Sequence, residues 1–89
     1  MRHTFTPRGV CSNKIAFDLT QGKVHNLVFT SGCDGNLKAI ATLVEGMEAE
    51  RVVSLLSGNT CGYKNTSCAD QLARALVAAQ ERERLSAEA

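Results

Sequence analysis

Four cysteines fall at turns rather than inside apolar runs, and that placement constrains the chain more than any other feature. Cys11 precedes a strand-like segment. Cys33 lies in Ser31-Gly32-Cys33-Asp34-Gly35-Asn36, where a strand gives way to a helix. Cys61 sits in the Gly-flanked loop Asn59-Thr60-Cys61-Gly62-Tyr63, and Cys68 opens a helix in Thr66-Ser67-Cys68-Ala69-Asp70. Inert core thiols belong in apolar stretches, whereas thiols at turns point to one shared site, a metal or iron–sulfur centre.

The alternation of residues sets the frame around them. Residues 3–7 suit a short strand that Pro7 confines to an edge or an end. From Lys14 to Leu19 the pattern has period two, with Ile15, Phe17 and Leu19 on one face and Ala16 and Asp18 on the other. Thr20-Gln21-Gly22-Lys23 supplies a turn, and Val24 to Thr30 returns with Leu27 and Phe29 on one side, which makes a hairpin. The period then changes. Leu37, Ile40, Ala41 and Val44 form the apolar stripe of a helix, with Asp34 or Asn36 to cap it and Gly46 to end it. A shorter helix over residues 48–56 buries Val52, Val53 and Leu56 and stops at Gly58.

The last helix runs from about Ser67 to Leu85, with Leu72, Leu76 and Ala79 inward. Ser67 and Asp70 have the spacing of a capping box, in which the hydroxyl accepts from the third helical amide and the carboxylate reaches back. Beyond Ala79 the run Gln80-Glu81-Arg82-Glu83-Arg84 reads as a solvated or frayed end. The order predicts an α+β fold: a small antiparallel sheet of two to three strands, followed by three helices packed on one face. The 89 residues make one domain, residues 1–89.

Charge and composition exclude several functions. Ten Lys and Arg stand against nine Asp and Glu, a net charge of +1 with no basic block, so neither nucleic acid nor an anionic membrane is expected as partner. No run approaches the ~18 apolar residues of a membrane span. The opening Met1-Arg2-His3-Thr4-Phe5-Thr6-Pro7 lacks the apolar stretch of a signal peptide. The expectation is a cytoplasmic protein, where structural disulfides are rare and an even number of cysteines reads first as metal binding or redox chemistry.

Topology favours a common site for the sulfurs. Cys33 leaves the hairpin at the end where Cys11 enters it, and the last helix begins at that end if it packs on the first. Cys61 reaches the same place through a short loop. Cys33 and Cys68 stand at helix starts, where free amides and the macrodipole stabilise negative charge by roughly 0.3–1 kcal/mol, and the thiolate is the ligand form. Spacing alone leaves three readings open: a shared metal site, a dithiol redox pair, or inert buried thiols. There is no C-x-x-C pair to mark a zinc knuckle or a thioredoxin-type motif. Four thiolates suit zinc or an iron–sulfur cluster equally.

Other residues carry weaker signals. His25 on a strand faces solvent, and His3 lies near the chain start. Asp34 is a helix cap, and Tyr63 and Lys64 belong to the loop after Cys61. No catalytic residue is expected, because no Ser/His/Asp constellation, framed carboxylate pair or phosphate loop appears.

Two stretches, Asn65-Thr66-Ser67-Cys68-Ala69-Asp70-Gln71-Leu72 and Ser31-Gly32-Cys33-Asp34-Gly35-Asn36-Leu37-Lys38-Ala39-Ile40, closely resemble the TSCPD-domain family. Gly9-Val10-Cys11-Ser12 and Cys61-Gly62-Tyr63-Lys64 complete the family layout, so all four cysteines match. Ala69 stands where the family name has proline, a favourable but replaceable residue in a first helical turn. The resemblance implies a connection with ribonucleotide reduction, since the family also forms a terminal domain of adenosylcobalamin-dependent ribonucleotide reductases. Stand-alone members are often labelled ribonucleoside-diphosphate reductase. A chain of 89 residues has no room for that enzyme's barrel, cobalamin site and radical machinery. An accessory role is expected instead, as a metal-binding module or a dithiol/disulfide component serving a reductase.

The chain is also similar, more faintly, to the NifU-type iron–sulfur scaffolds, through an early cysteine before a hairpin, a Gly-Cys at a helix start and a cysteine opening the final helix. Leu43-Val44-Glu45-Gly46-Met47 followed by Glu50-Arg51-Val52 fits their helix–Gly–helix segment. That resemblance implies a NifU-N-like fold with Cys11, Cys33 and Cys68 as ligands. Asn13 takes the place of those scaffolds' aspartate, and Cys61 is the natural substitute. The expected ligand set is Cys11, Cys33, Cys61 and Cys68, holding zinc or an iron–sulfur cluster. The expected partners are a ribonucleotide reductase or a cluster-handling protein, and the apolar helices allow a homodimer.

Overall fold

The structure is a computed structural model that describes residues 2–10, 13–30, 34–59 and 66–88. Three strands, β1 (Arg2–Phe5), β2 (Lys14–Thr20) and β3 (Lys23–Thr30), are followed by three helices, α1 (Asp34–Val44), α2 (Ala49–Leu56) and α3 (Cys68–Glu88). The strands form one antiparallel sheet in the order β1-β2-β3. This is the α+β arrangement that the change of period predicts.

The β2–β3 turn is set by backbone chemistry. Gln21 and Gly22 both have positive φ, 53° and 76°, between the paired residues Thr20 and Lys23. A two-residue hairpin loop needs that handedness to match the twist of its strands. Simple alternation fails farther along β3. Ala16 pairs with Val28 but Asp18 pairs with His25, so one residue of β2 faces two of β3. The extra residue is Asn26 at φ 54°, a β-bulge at one of the few residue types that tolerate that conformation. The bulge brings Val24 and Leu27, three residues apart, to the same buried face. Period-two reading of the sequence places them on opposite faces.

The sheet presents Ile15, Phe17 and Leu19 from β2 and Val24 and Leu27 from β3 to the helices, all buried. The helices answer with Val44, Ala49 and Val52, and with Leu72, Leu76 and Ala79 of α3. Burial of each large side chain contributes about 1.5–3 kcal/mol. α1 lies on β3, α2 packs along α3, and α3 also reaches β1 and β2. The predicted apolar stripes therefore face the core. Ile40 and Ala41 of α1 and Val53 and Leu56 of α2 are only partly buried against it.

Between α1 and α2 the chain runs beside β3. Gly46, at φ 78°, donates to the Val24 carbonyl at 2.7 Å, and the Val24 amide donates to the Met47 carbonyl at 2.9 Å. Lys23 and Glu48 form an isolated antiparallel bridge.

The charged end of α3 is not frayed. The helix continues to Glu88, and Glu83 accepts a hydrogen bond from His3 Nε2 at 2.5 Å. His3 is buried at 3% exposure, with its ring 5.7 Å from that of Phe17. A histidine near a chain start looks solvated in sequence. Here β1 pairs with β2 and carries it inward, Arg2 opposite Asp18 and His3 opposite Phe17.

Candidate metal centre

The start of α3 is built from buried polar side chains. The Ser67 hydroxyl accepts from the Asp70 amide at 3.1 Å, which is the expected cap. Ser67 Oγ also donates to the Asn59 carbonyl at 2.5 Å, and Asn59 Nδ2 donates to Ser67 Oγ at 3.3 Å. These contacts bring the last described residue before the Cys61 loop against the first turn of α3. Cys68 is the first residue of that helix and is half-buried.

The second half of the capping box differs from expectation. The Asp70 carboxylate does not serve the cap amide. One oxygen accepts from the Gly58 amide at 2.7 Å, and the other accepts from the Thr66 hydroxyl at 2.5 Å and from Arg74 Nε at 3.1 Å. Its carboxyl group is held below the usual carboxylate range, first by the Thr66 hydroxyl and then by the Gly58 amide, with Arg74 adding and burial opposing. Gly58 has φ 81° at the end of α2, so its amide turns toward this oxygen from a backbone that favours glycine.

Gln71 extends the network to the other side. Its Nε2 donates to Thr66 Oγ1 at 3.0 Å, and its Oε1 accepts from the Arg8 amide at 3.0 Å. Gly9, at φ 71°, lies beside the Thr66 methyl, which a Cβ at position 9 would meet at 3.5 Å. The segment leading to Cys11 is therefore fastened to the start of α3. Asn13, just after that cysteine, donates its amide to the Thr30 carbonyl at 2.9 Å, which ties the same segment to the end of β3.

Of the four predicted ligands, only Cys68 lies among the described residues. Cys11, Cys33 and Cys61 lie outside them, as do Tyr63 and Lys64, which the sequence assigns to a loop, and so do the side chains of Asp34 and Asn36 with their expected capping role. Among the described residues no three His, Cys, Asp or Glu side chains gather as a metal would require. Asn13, at the position of the NifU-type aspartate, is exposed. His25 on β3 is partly open to solvent, and its Nδ1 donates to the exposed Glu45 at 2.6 Å. Arg8, Gly58, Thr66 and Gln71 carry the frame, yet no periodicity marks them. The only sequence signal was the Ser67–Asp70 spacing, which locates the carboxylate without naming its partners.

The model of the TSCPD domain matches residues 1–80, nearly the whole chain. The chain belongs to the TSCPD-domain family. No curated protein and no solved structure matches it. Within this TSCPD domain, Ala69 is buried as the second residue of α3, where the amide has no intrahelical acceptor, so alanine serves where the family name has proline. Among the described residues no helix is long and apolar enough to cross a membrane.

Proposed function

We propose that this TSCPD domain is a metal-binding module that holds zinc or an iron–sulfur cluster through Cys11, Cys33, Cys61 and Cys68. One observation supports the reading: Arg8, before Cys11, and Gly58 and Asn59, before Cys61, are bonded to residues around the first turn of α3 that Cys68 opens, and Asn13 ties the Cys11 segment to Thr30, before Cys33. Arg8 stands three residues before Cys11, Thr30 three before Cys33 and Asn59 two before Cys61. A chain spans at most ~3.6 Å per residue, and tethers this short are compatible with thiols that meet near Cys68. The donor set fits the group, because four thiolates match tetrahedral zinc or iron coordination. Bound zinc would supply a cross-link between segments, and a cluster would supply one-electron transfer.

The domain acts as an accessory unit and not as a complete reductase. Its connection with ribonucleotide reduction or metal-cluster handling rests on the family.

Purification without oxygen, followed by elemental analysis and an absorption spectrum, tests the reading. The expected result is one equivalent of zinc in colourless protein, or iron with sulfide in brown protein, with thiols that react only after chelation or denaturation. Metal-free protein whose thiols react at once and oxidise in pairs overturns it in favour of a dithiol redox component.

A further inference from the structure

We infer that Thr66, Asp70 and Gln71 are positioning residues that hold the segments leading to Cys11 and Cys61 against the start of α3 before a metal arrives, so that the metal enters a standing frame. The inference rests on the four-cysteine reading above. All three side chains are buried, at 6%, 4% and 4% exposure. Each side chain serves a different part of the frame. Gln71 takes the Arg8 amide, three residues before Cys11, and Asp70 takes the Gly58 amide, three residues before Cys61. Thr66 joins them by donating to Asp70 and accepting from Gln71.

Helix capping does not account for this arrangement. Ser67 alone caps the Asp70 amide, and the carboxylate that a capping box would return to the helix start goes to the preceding loop. Core packing does not account for it either, since apolar side chains would fill the same space without the cost of burying a carboxylate. What directed hydrogen bonds add is a fixed geometry between segments. Groups that orient ligands in this way typically change metal affinity by about 10–100-fold when removed.

The test compares zinc affinity, by competition with a chromophoric chelator, in wild type, Asp70→Asn, Thr66→Val, Gln71→Leu and Cys68→Ser. It also measures amide exchange at Gly58 and Arg8 in metal-free wild type. Both amides are expected to be protected without metal. Each of the three network variants is expected to bind zinc about tenfold more weakly or worse while still engaging four thiols at saturation. Thr66→Val, the mildest change, keeps the test decisive if Asp70→Asn fails to fold. Unprotected amides in the metal-free protein, or wild-type zinc affinity in the three variants, overturn this role alone. A wild-type protein that takes up neither zinc nor iron overturns the four-cysteine reading and this role with it.

Discussion

Glu45 beside the β3 bulge and Asp70 at the start of α3 make similar bonds in opposite surroundings. Glu45 accepts the Asn26 amide at 2.9 Å and the His25 ring at 2.6 Å, with its side chain 49% exposed. Asp70 accepts the Gly58 amide and the Thr66 hydroxyl with 4% exposure. Both carboxyl groups are held below their ordinary range, Glu45 first by the Asn26 amide and then by His25. Water can replace any bond that Glu45 loses, whereas the buried Thr66 hydroxyl would be left without the acceptor that Asp70 gives it. Burial, more than the number of bonds, decides what a polar cluster holds in place.

The largest effect is expected at the buried cluster. Asp70→Ala, measured by urea unfolding with chelator present, should cost about 1–3 kcal/mol, because the buried Thr66 hydroxyl loses its acceptor and the tie from Gly58 to α3 is lost. A loss as small as that of an exposed ion pair would show that burial adds nothing to the Asp70 cluster. The same carboxylate sets a pH dependence. Its folded-state pKa lies below the unfolded value, so its contribution is complete above the unfolded carboxylate range and disappears as pH falls through the folded value. Asp70→Asn should flatten that acid limb in thermal melts taken from neutral pH downward.

An intermediate effect is expected at the bulge. Asn26→Ala places an ordinary side chain at φ 54° and removes the bond to Asp18, which should cost about 1–2 kcal/mol. Asn26→Gly relieves the backbone and should recover most of that loss. An equal loss in both variants would assign the role to the side chain. The smallest effect is expected from Glu45→Gln, a change too slight to shift the urea midpoint measurably and absent at high salt. A clear, salt-resistant shift would show that the open cluster behaves like the buried one.

Much of this fold is legible in the chain because burial leaves a period. The clean alternation of Ile15, Phe17 and Leu19 and the helical spacing of Leu72, Leu76 and Ala79 map directly onto the core. Glycine at a turn is equally legible, as at Gly22, Gly46 and Gly58. The bulge is not, because one inserted residue shifts the phase of a strand without changing its composition. Asp70's real partners were hidden for a related reason. Its bond to Gly58 crosses between α2 and α3, and no local pattern records a contact made by tertiary packing. His3 shows the same limit: its burial depends on Phe17 and Glu83, far along the chain. Of the candidate site, the position of Cys68 at a capped helix start was readable, and the frame around it was not.

The run of residues between α1 and α2 has a consequence for self-association. By occupying both backbone groups of Val24 and bridging Lys23 with Glu48, it occupies the outer margin of β3 near the hairpin tip. The opposite margin belongs to β1, only four residues long and headed by Arg2. A margin so short and charged makes a poor template for a strand from another molecule. Loosening the Gly46 turn would uncover a longer one and with it a route to aggregation.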